Sequence, residues 1–133
     1  MTNPIDRATR ELLSIHANSR AAHFDKDVAA LMAIQPEDFT YAGNGVVRRL
    51  SRADMRHNIE QAFANSTYHE FDDLEPPIVR VSEDGTVGWM ITRIKVRKTE
   101  TDSAGAKRER ETIHASIRTF EKRDGRWFMT ATS

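Results

Sequence analysis

Cysteine is missing from all 133 residues, which excludes disulfides, thiolate catalysis and thiolate zinc sites and suits a reducing compartment, so a cytoplasmic location is expected. Long apolar runs are missing as well. The longest uncharged one, Val28 to Ile34, falls far short of the ~20 residues that a membrane-spanning helix needs. The start, Met1-Thr-Asn-Pro4, has neither the basic nor the apolar segment of a secretory leader. Nor does either charge prevail: 20 Lys and Arg balance 20 Asp and Glu, with a pI near 7.0, so no global field draws in nucleic acid or an anionic membrane. Neither is expected as a partner. Phosphate-cradling glycine patterns, a Ser-centred nucleophile elbow and a His-Glu-x-x-His pair are also absent, and no metal or nucleotide cofactor is expected.

What is present is enough for one core. Hydrophobic residues make up 38% and charged residues 30%, a polar balance but too rich in Leu, Ile, Val, Phe and Trp for disorder. No repeat or linker divides the chain, so residues 1–133 are expected to form a single domain.

From Ile5 to Phe24 no Pro or Gly interrupts a stretch rich in Ala, Leu, Arg and Glu, and Pro4 stands where a helix start tolerates it. A second, short helix follows over Val28 to Ile34, capped by Asp25 or Asp27 and stopped by Pro36. Gly43-Asn44-Gly45 between Phe39-Thr-Tyr-Ala and Val46-Val-Arg-Arg-Leu50 predicts a hairpin. Ser51-Arg-Ala-Asp54 predicts a capping box opening a third helix, with Met55, Ile59, Ala62 and Phe63 on its inner face. Beyond Tyr68 the period becomes strand-like, in segments near Phe71 to Val81, Thr86 to Thr101, Lys107 to Lys122 and Arg126 to the end. Turn signals at Asp84-Gly85, Ser103-Ala-Gly105 and Asp124-Gly125 join them as an antiparallel meander.

The expected fold class is therefore α+β, with three N-terminal helices packed on a curved, mainly antiparallel sheet. The order of helix, short helix ending in Pro36-Glu-Asp-Phe39, Gly-containing hairpin, Ser51-capped helix and meander closing on Glu121-Lys-Arg-Asp-Gly-Arg-Trp127 resembles the nuclear transport factor 2-like superfamily, especially its SnoaL-like members, over nearly the whole chain. The resemblance implies a cystatin-like cone whose open end holds a pocket, in a family of isomerases, dehydratases, epoxide hydrolases, cyclases and non-catalytic binding modules. Where the family's ketosteroid isomerases carry a base Asp, this chain aligns Gly43 or Asn44, and their oxyanion-donating Tyr aligns near Ser19. The family's His-rich last strand is replaced by Met129-Thr-Ala-Thr-Ser133. No catalytic residue follows from the resemblance.

The candidate pocket residues come from patterning. At about 100° per residue, Ile5, Ala8, Leu12, His16, Ser19 and His23 share one helix face, with Arg20 at its edge. The two histidines are either bonded to backbone in the core or exposed to a pocket. Seven residues apart, they lie roughly 10 Å apart along the axis and cannot share one metal. Tyr41, Trp89 and Trp127 could stack on a ligand, although large aromatics more often fill the core. Along the third long strand segment, Ile113, Ala115, Ile117 and Thr119 alternate with His114, Ser116, Arg118 and Phe120. The apolar set is expected to face the helices, which sends His114, Arg118 and Phe120 outward and leaves an outer face suited to a homodimer.

Three functions stay open. The first is a domain that binds a small apolar or amphipathic molecule in a pocket bounded by His16, Ser19, Arg20, His23, Tyr41, Trp89 and Trp127. The second is a lyase or isomerase using His16 or His23 as general acid or base. The third is a dimerisation module with a filled cone.

Overall fold

The computed structural model describes residues 3–133. Helix α1 spans Pro4–Asp25, with Asn3 accepting from the Asp6 amide at 2.8 Å and Lys26 closing it in the left-handed region. Helix α2 is a short turn, Val28–Met32, capped by Asp27. The β1–β2 hairpin, Phe39–Gly43 and Val46–Leu50, turns on Asn44 and Gly45, both at positive φ as a tight primed turn requires. Helix α3, Arg52–Asn65, opens on the reciprocal capping box of Ser51 and Asp54.

Five strands follow, β3 Ser66–Asp73, β4 Ile78–Val81, β5 Val87–Thr101, β6 Lys107–Arg123 and β7 Arg126–Thr132, giving a curved seven-stranded sheet ordered β2-β1-β7-β6-β5-β3, with β4 also paired to β5. All pairings are antiparallel except β1 with β7. The α+β class with helices on one face of the sheet is as expected. One difference lies between β3 and β4, which the strand-like period runs together. Pro76 and Pro77 donate no hydrogen bond, so the ladder breaks there. Both pieces still line up along β5, Asp73 opposite Ile94 and Ile78 opposite Ile91.

The core sits at the closed end. Ala8 and Leu12 of α1 pack on Met90, Phe120 and Trp127. Gly88 permits that approach, since a Cβ there would meet Leu12 and Val81 at 3.0 Å. Ile5, expected on the same buried face, is 42% exposed.

The orientation of β6 corrects the expectation. Thr112, Ser116 and Arg118 face the helices, and Phe120 is fully buried in the core. Ile113 and Ile117 point to the outer face, where they are 55% and 38% exposed. The register explains this, because Ile113, Ala115 and Ile117 stand opposite Lys95, Arg93 and Ile91, the outward residues of β5. The inward set of β5 is Met90, Thr92, Ile94 and Val96, all buried. The polar alternation of β6 therefore lines an interior space, and its apolar alternation is left on the surface.

Candidate functional site

Between α1, α3 and the inner face of β5 and β6 lies a cavity of about 380 Å³. Its floor is formed by cross-strand pairs, Thr92 opposite Ser116, Ile94 opposite His114 and Val96 opposite Thr112. Helix α3 supplies Met55 and Ile59 as a roof, and β3 supplies Tyr68 and Phe71 as a wall. The loop after α2 contributes Ile34 and Gln35. That loop is pinned from two directions. The Met129 amide donates to the Ile34 carbonyl at 2.7 Å, and Arg52 donates to the Gln35 and Met32 carbonyls, the latter at 2.9 Å.

Of the residues singled out from the sequence, Ser19 and His23 reach this lining. The His23 ring stacks on Phe71 at 4.4 Å and meets Phe63 and Tyr68 edge-on. Its Nδ1 lies 2.7 Å from the Ser19 carbonyl. A carbonyl only accepts, so Nδ1 carries the proton, and in the neutral ring Nε2 keeps a lone pair. Burial holds the His23 pKa below its ordinary value, and the positive charges of Arg118 and Lys98 add to this, against the opposing effect of the Ser19 bond.

His16 lies behind the lining rather than in it. It is 7% exposed, with Nε2 at 2.8 Å from Asp73 Oδ1 and Nδ1 at 2.9 Å from Arg118 Nη2. Arginine has only donors, so Nδ1 must accept, and the single proton of the neutral ring sits on Nε2 and is donated to Asp73. Arg118 reaches the Met90 sulfur at 3.5 Å with the same nitrogen. Arg118 lines the cavity, and burial pushes its pKa down while the charge of Asp73 acts in the other direction.

The remaining candidates lie elsewhere. Arg20 is exposed and straps α1 to β3, donating to the Phe71 carbonyl at 2.7 Å and to Asp72 at 3.0 Å. Trp127 is a core residue whose indole N–H donates to Glu11 at 3.0 Å. Trp89 belongs to the outward alternation of β5, opposite Thr119. Tyr41 lies on β1 with its ring over Gly43. None of these four lines the cavity. Asp38 pairs with Arg123 at 3.2 Å.

Patterning missed Gln35, Thr92, Ser116 and, through the reversed face of β6, His114 and Arg118. One signal was available for the strand residues: the regular polar alternation of Thr112, His114, Ser116 and Arg118 in a long strand whose other face is apolar. Three buried side-chain atoms among the described residues have no hydrogen-bond partner, Gln35 Oε1, Thr92 Oγ1 and Arg118 Nε, and all three belong to residues that line this cavity. Each costs about 1–3 kcal/mol while it stays unpaired. Among the described residues no group of three or more His, Asp or Glu is arranged to hold a metal ion, and no helix is long and apolar enough to cross a membrane.

No curated protein matches the sequence significantly. Solved structures share the fold at low identity. A nuclear transport factor 2-like protein from Cytophaga hutchinsonii is 14% identical with a TM-score of 0.73, covering 94% of each chain. An uncharacterised protein with a cystatin-like fold from Caulobacter vibrioides is 11% identical with a TM-score of 0.69, over 95% of this chain and 87% of that one. A protein described as a candidate polyketide cyclase from Xanthomonas campestris is 16% identical with a TM-score of 0.60, over 98% and 90%. The family model described as SnoaL-like domain matches residues 14–132, from the middle of α1 to the end of β7, and the chain belongs to that family.

Proposed function

We propose that this protein binds a small amphipathic molecule in the cavity between α1, α3 and β5–β6. The observation that carries the reading is the coincidence of an apolar-walled space of about 380 Å³ with three unpartnered buried polar atoms in its lining residues. Apolar walls with a few convergent polar groups are what small-molecule sites are made of, and a volume of this size suits a ligand of drug-like dimensions. Membership of the SnoaL-like family and a fold shared with a candidate polyketide cyclase support the same class of function. Thermal unfolding measured across a panel of amphipathic compounds tests it, with Ile59→Trp as a variant that fills the roof. Compounds should raise the melting temperature of the parent protein and not that of the filled variant. No stabilising compound, or equal stabilisation of both proteins, would remove the reading.

A specific observation favours a second reading, an enzyme of the lyase or isomerase type. His23 is held neutral in the cavity with a lone pair at Nε2, the state a general base needs at neutral pH. Turnover of a bound ketone or hydroxy compound, lost in His23→Gln with binding retained, would establish it. Two further parts of the proposal are a homodimer through the outer sheet face, where Ile78, Val87, Ile91, Ile113 and Ile117 are exposed, and a cytoplasmic location, which cell fractionation tests.

A further inference from the structure

We infer that the ligand of this cavity is an amphipathic anion, an apolar body carrying a carboxylate or enolate that Arg118 receives. The inference rests on the small-molecule reading above and narrows it to one charge class. Its first ground is the lining itself. The chain has as many acidic as basic residues, 20 of each, yet among the described residues no Asp or Glu lines the cavity, whereas Arg118 and Lys98 both do. Three acids of the sheet, Glu70, Glu109 and Glu111, are engaged by cations outside the lining. Glu70 and Glu109 reach Arg97 at 3.3 and 3.7 Å, and Glu70 and Glu111 reach Lys95 at 3.5 and 3.3 Å.

The second ground is the difference between the two cations. Lys98 is already matched, with Glu100 at 3.2 Å and the Tyr68 ring at 5.5 Å. Arg118 is not. The partners within hydrogen-bonding distance are the neutral His16 Nδ1 at 2.9 Å and the Met90 sulfur at 3.5 Å, and its Nε has none. Asp73, the acid behind it, is engaged by the far side of His16 at 2.8 Å. His16 thus works as a spacer, taking the direct contact of Asp73, whose charge still acts on the guanidinium from behind, while holding the arginine in place through an uncharged lone pair. A desolvated guanidinium without an anion in direct contact is costly, and its planar fork matches a carboxylate geometrically.

The third ground is the remainder of the lining. Ile94, Val96, Met55, Ile59 and Phe71 offer hydrocarbon and aromatic surface, which suits an organic anion and gives nothing to a free inorganic one. Thr92, Gln35 and Ser116, which line the same space, supply polar side chains for a hydroxyl on the same molecule.

Isothermal titration calorimetry on the full chain tests this with four probes: 2-naphthoate, its neutral isostere 2-naphthamide, 2-naphthylmethylamine and inorganic phosphate. The expected result is naphthoate binding about tenfold or more tighter than the amide, with the amine weakest and phosphate silent. In Arg118→Gln the carboxylate-to-amide ratio should collapse towards one. Equal or tighter binding of the amide or amine, or a ratio that survives in the variant, overturns the inference while leaving the small-molecule reading standing. Should the variant fail to fold, the ratio measured on the parent protein decides alone. Silence from all three naphthalene probes, with or without phosphate binding, overturns both.

Discussion

Two histidines seven residues apart on α1 are held in opposite tautomers, and their neighbours decide which. His23 gives its Nδ1 proton to the Ser19 carbonyl, while His16 accepts from Arg118 at Nδ1 and so donates from Nε2 to Asp73. Different consequences follow for stability. In the unfolded chain His23 titrates near 6.5, and in the folded chain lower, because burial and the charges of Arg118 and Lys98 disfavour the imidazolium. Between those two values the unfolded state binds a proton that the folded state does not, so stability is full above about pH 6.5 and falls as pH drops towards the folded value. Urea midpoints measured between about pH 5 and 7.5 should show this slope in the parent and a shallower one in His23→Phe, which keeps the aromatic packing. An unchanged slope would assign the acid sensitivity elsewhere. Asp73→Ala leaves the His16 N–H buried without an acceptor and should cost about 1–3 kcal/mol in denaturant unfolding. A loss under about 0.5 kcal/mol, the range of ordinary surface changes, would contradict the described contact.

The elements that could be read in the sequence are those with local signals. Pro4 and Asn3 open α1, Ser51 and Asp54 open α3, and Asn44-Gly45 and Asp124-Gly125 close two hairpins through paired positive φ angles. These depend on neighbours two to four residues away, which a sequence displays directly. Ser51→Ala removes one half of the α3 capping box and should lower stability by about 1 kcal/mol, read from the urea midpoint. No change would mean that the roof helix is held by packing alone. The orientation of β6 depends instead on partners far along the chain. Ordinary patterning turns the apolar face of a strand inward, and Ile113, Ala115 and Ile117 suggest that here. The rule fails because the strand lines a cavity, not a solid core. Its inward residues must be short or polar enough to leave space, and Thr112, Ser116 and Arg118 do so, while Phe120, three residues from the end of the strand, returns to close packing. Once that face is reversed, the β6 side of the site changes with it. Arg118 and His114 enter the lining, whereas Trp89, on β5, is on the surface side and outside it.

Across the whole molecule, the same reversal leaves apolar surface on the outside of the sheet. Ile78, Ile91, Ile113 and Ile117 lie on adjacent strands, with Ile91 directly opposite both Ile78 and Ile117. A contiguous apolar patch on a sheet face is the kind of surface that a second copy covers. Sedimentation velocity should give a dimer for the parent chain and a monomer for Ile117→Lys; a parent that stays monomeric at high micromolar concentration would contradict the proposed dimer. The closed end of the sheet, with Leu12, Met90 and Phe120 fully buried, carries the stability of the fold, and the open end carries the cavity.

The five histidines allow the cavity to be probed as a binding site in one experiment, because their positions differ so clearly. His23 and His114 belong to the cavity lining, His16 lies one bond behind Arg118, and His57 and His69 are exposed on α3 and β3. Long-range proton–nitrogen correlation spectra of the histidine-labelled protein, recorded while 2-naphthoate is added, report on all five rings together. Occupation of the cavity predicts that the His23 and His114 ring signals move in a saturable way, that His16 follows through Arg118, and that His57 and His69 stay where they are. Rings that all ignore the ligand, or a response confined to His57 and His69, would contradict the assignment of this space as the site.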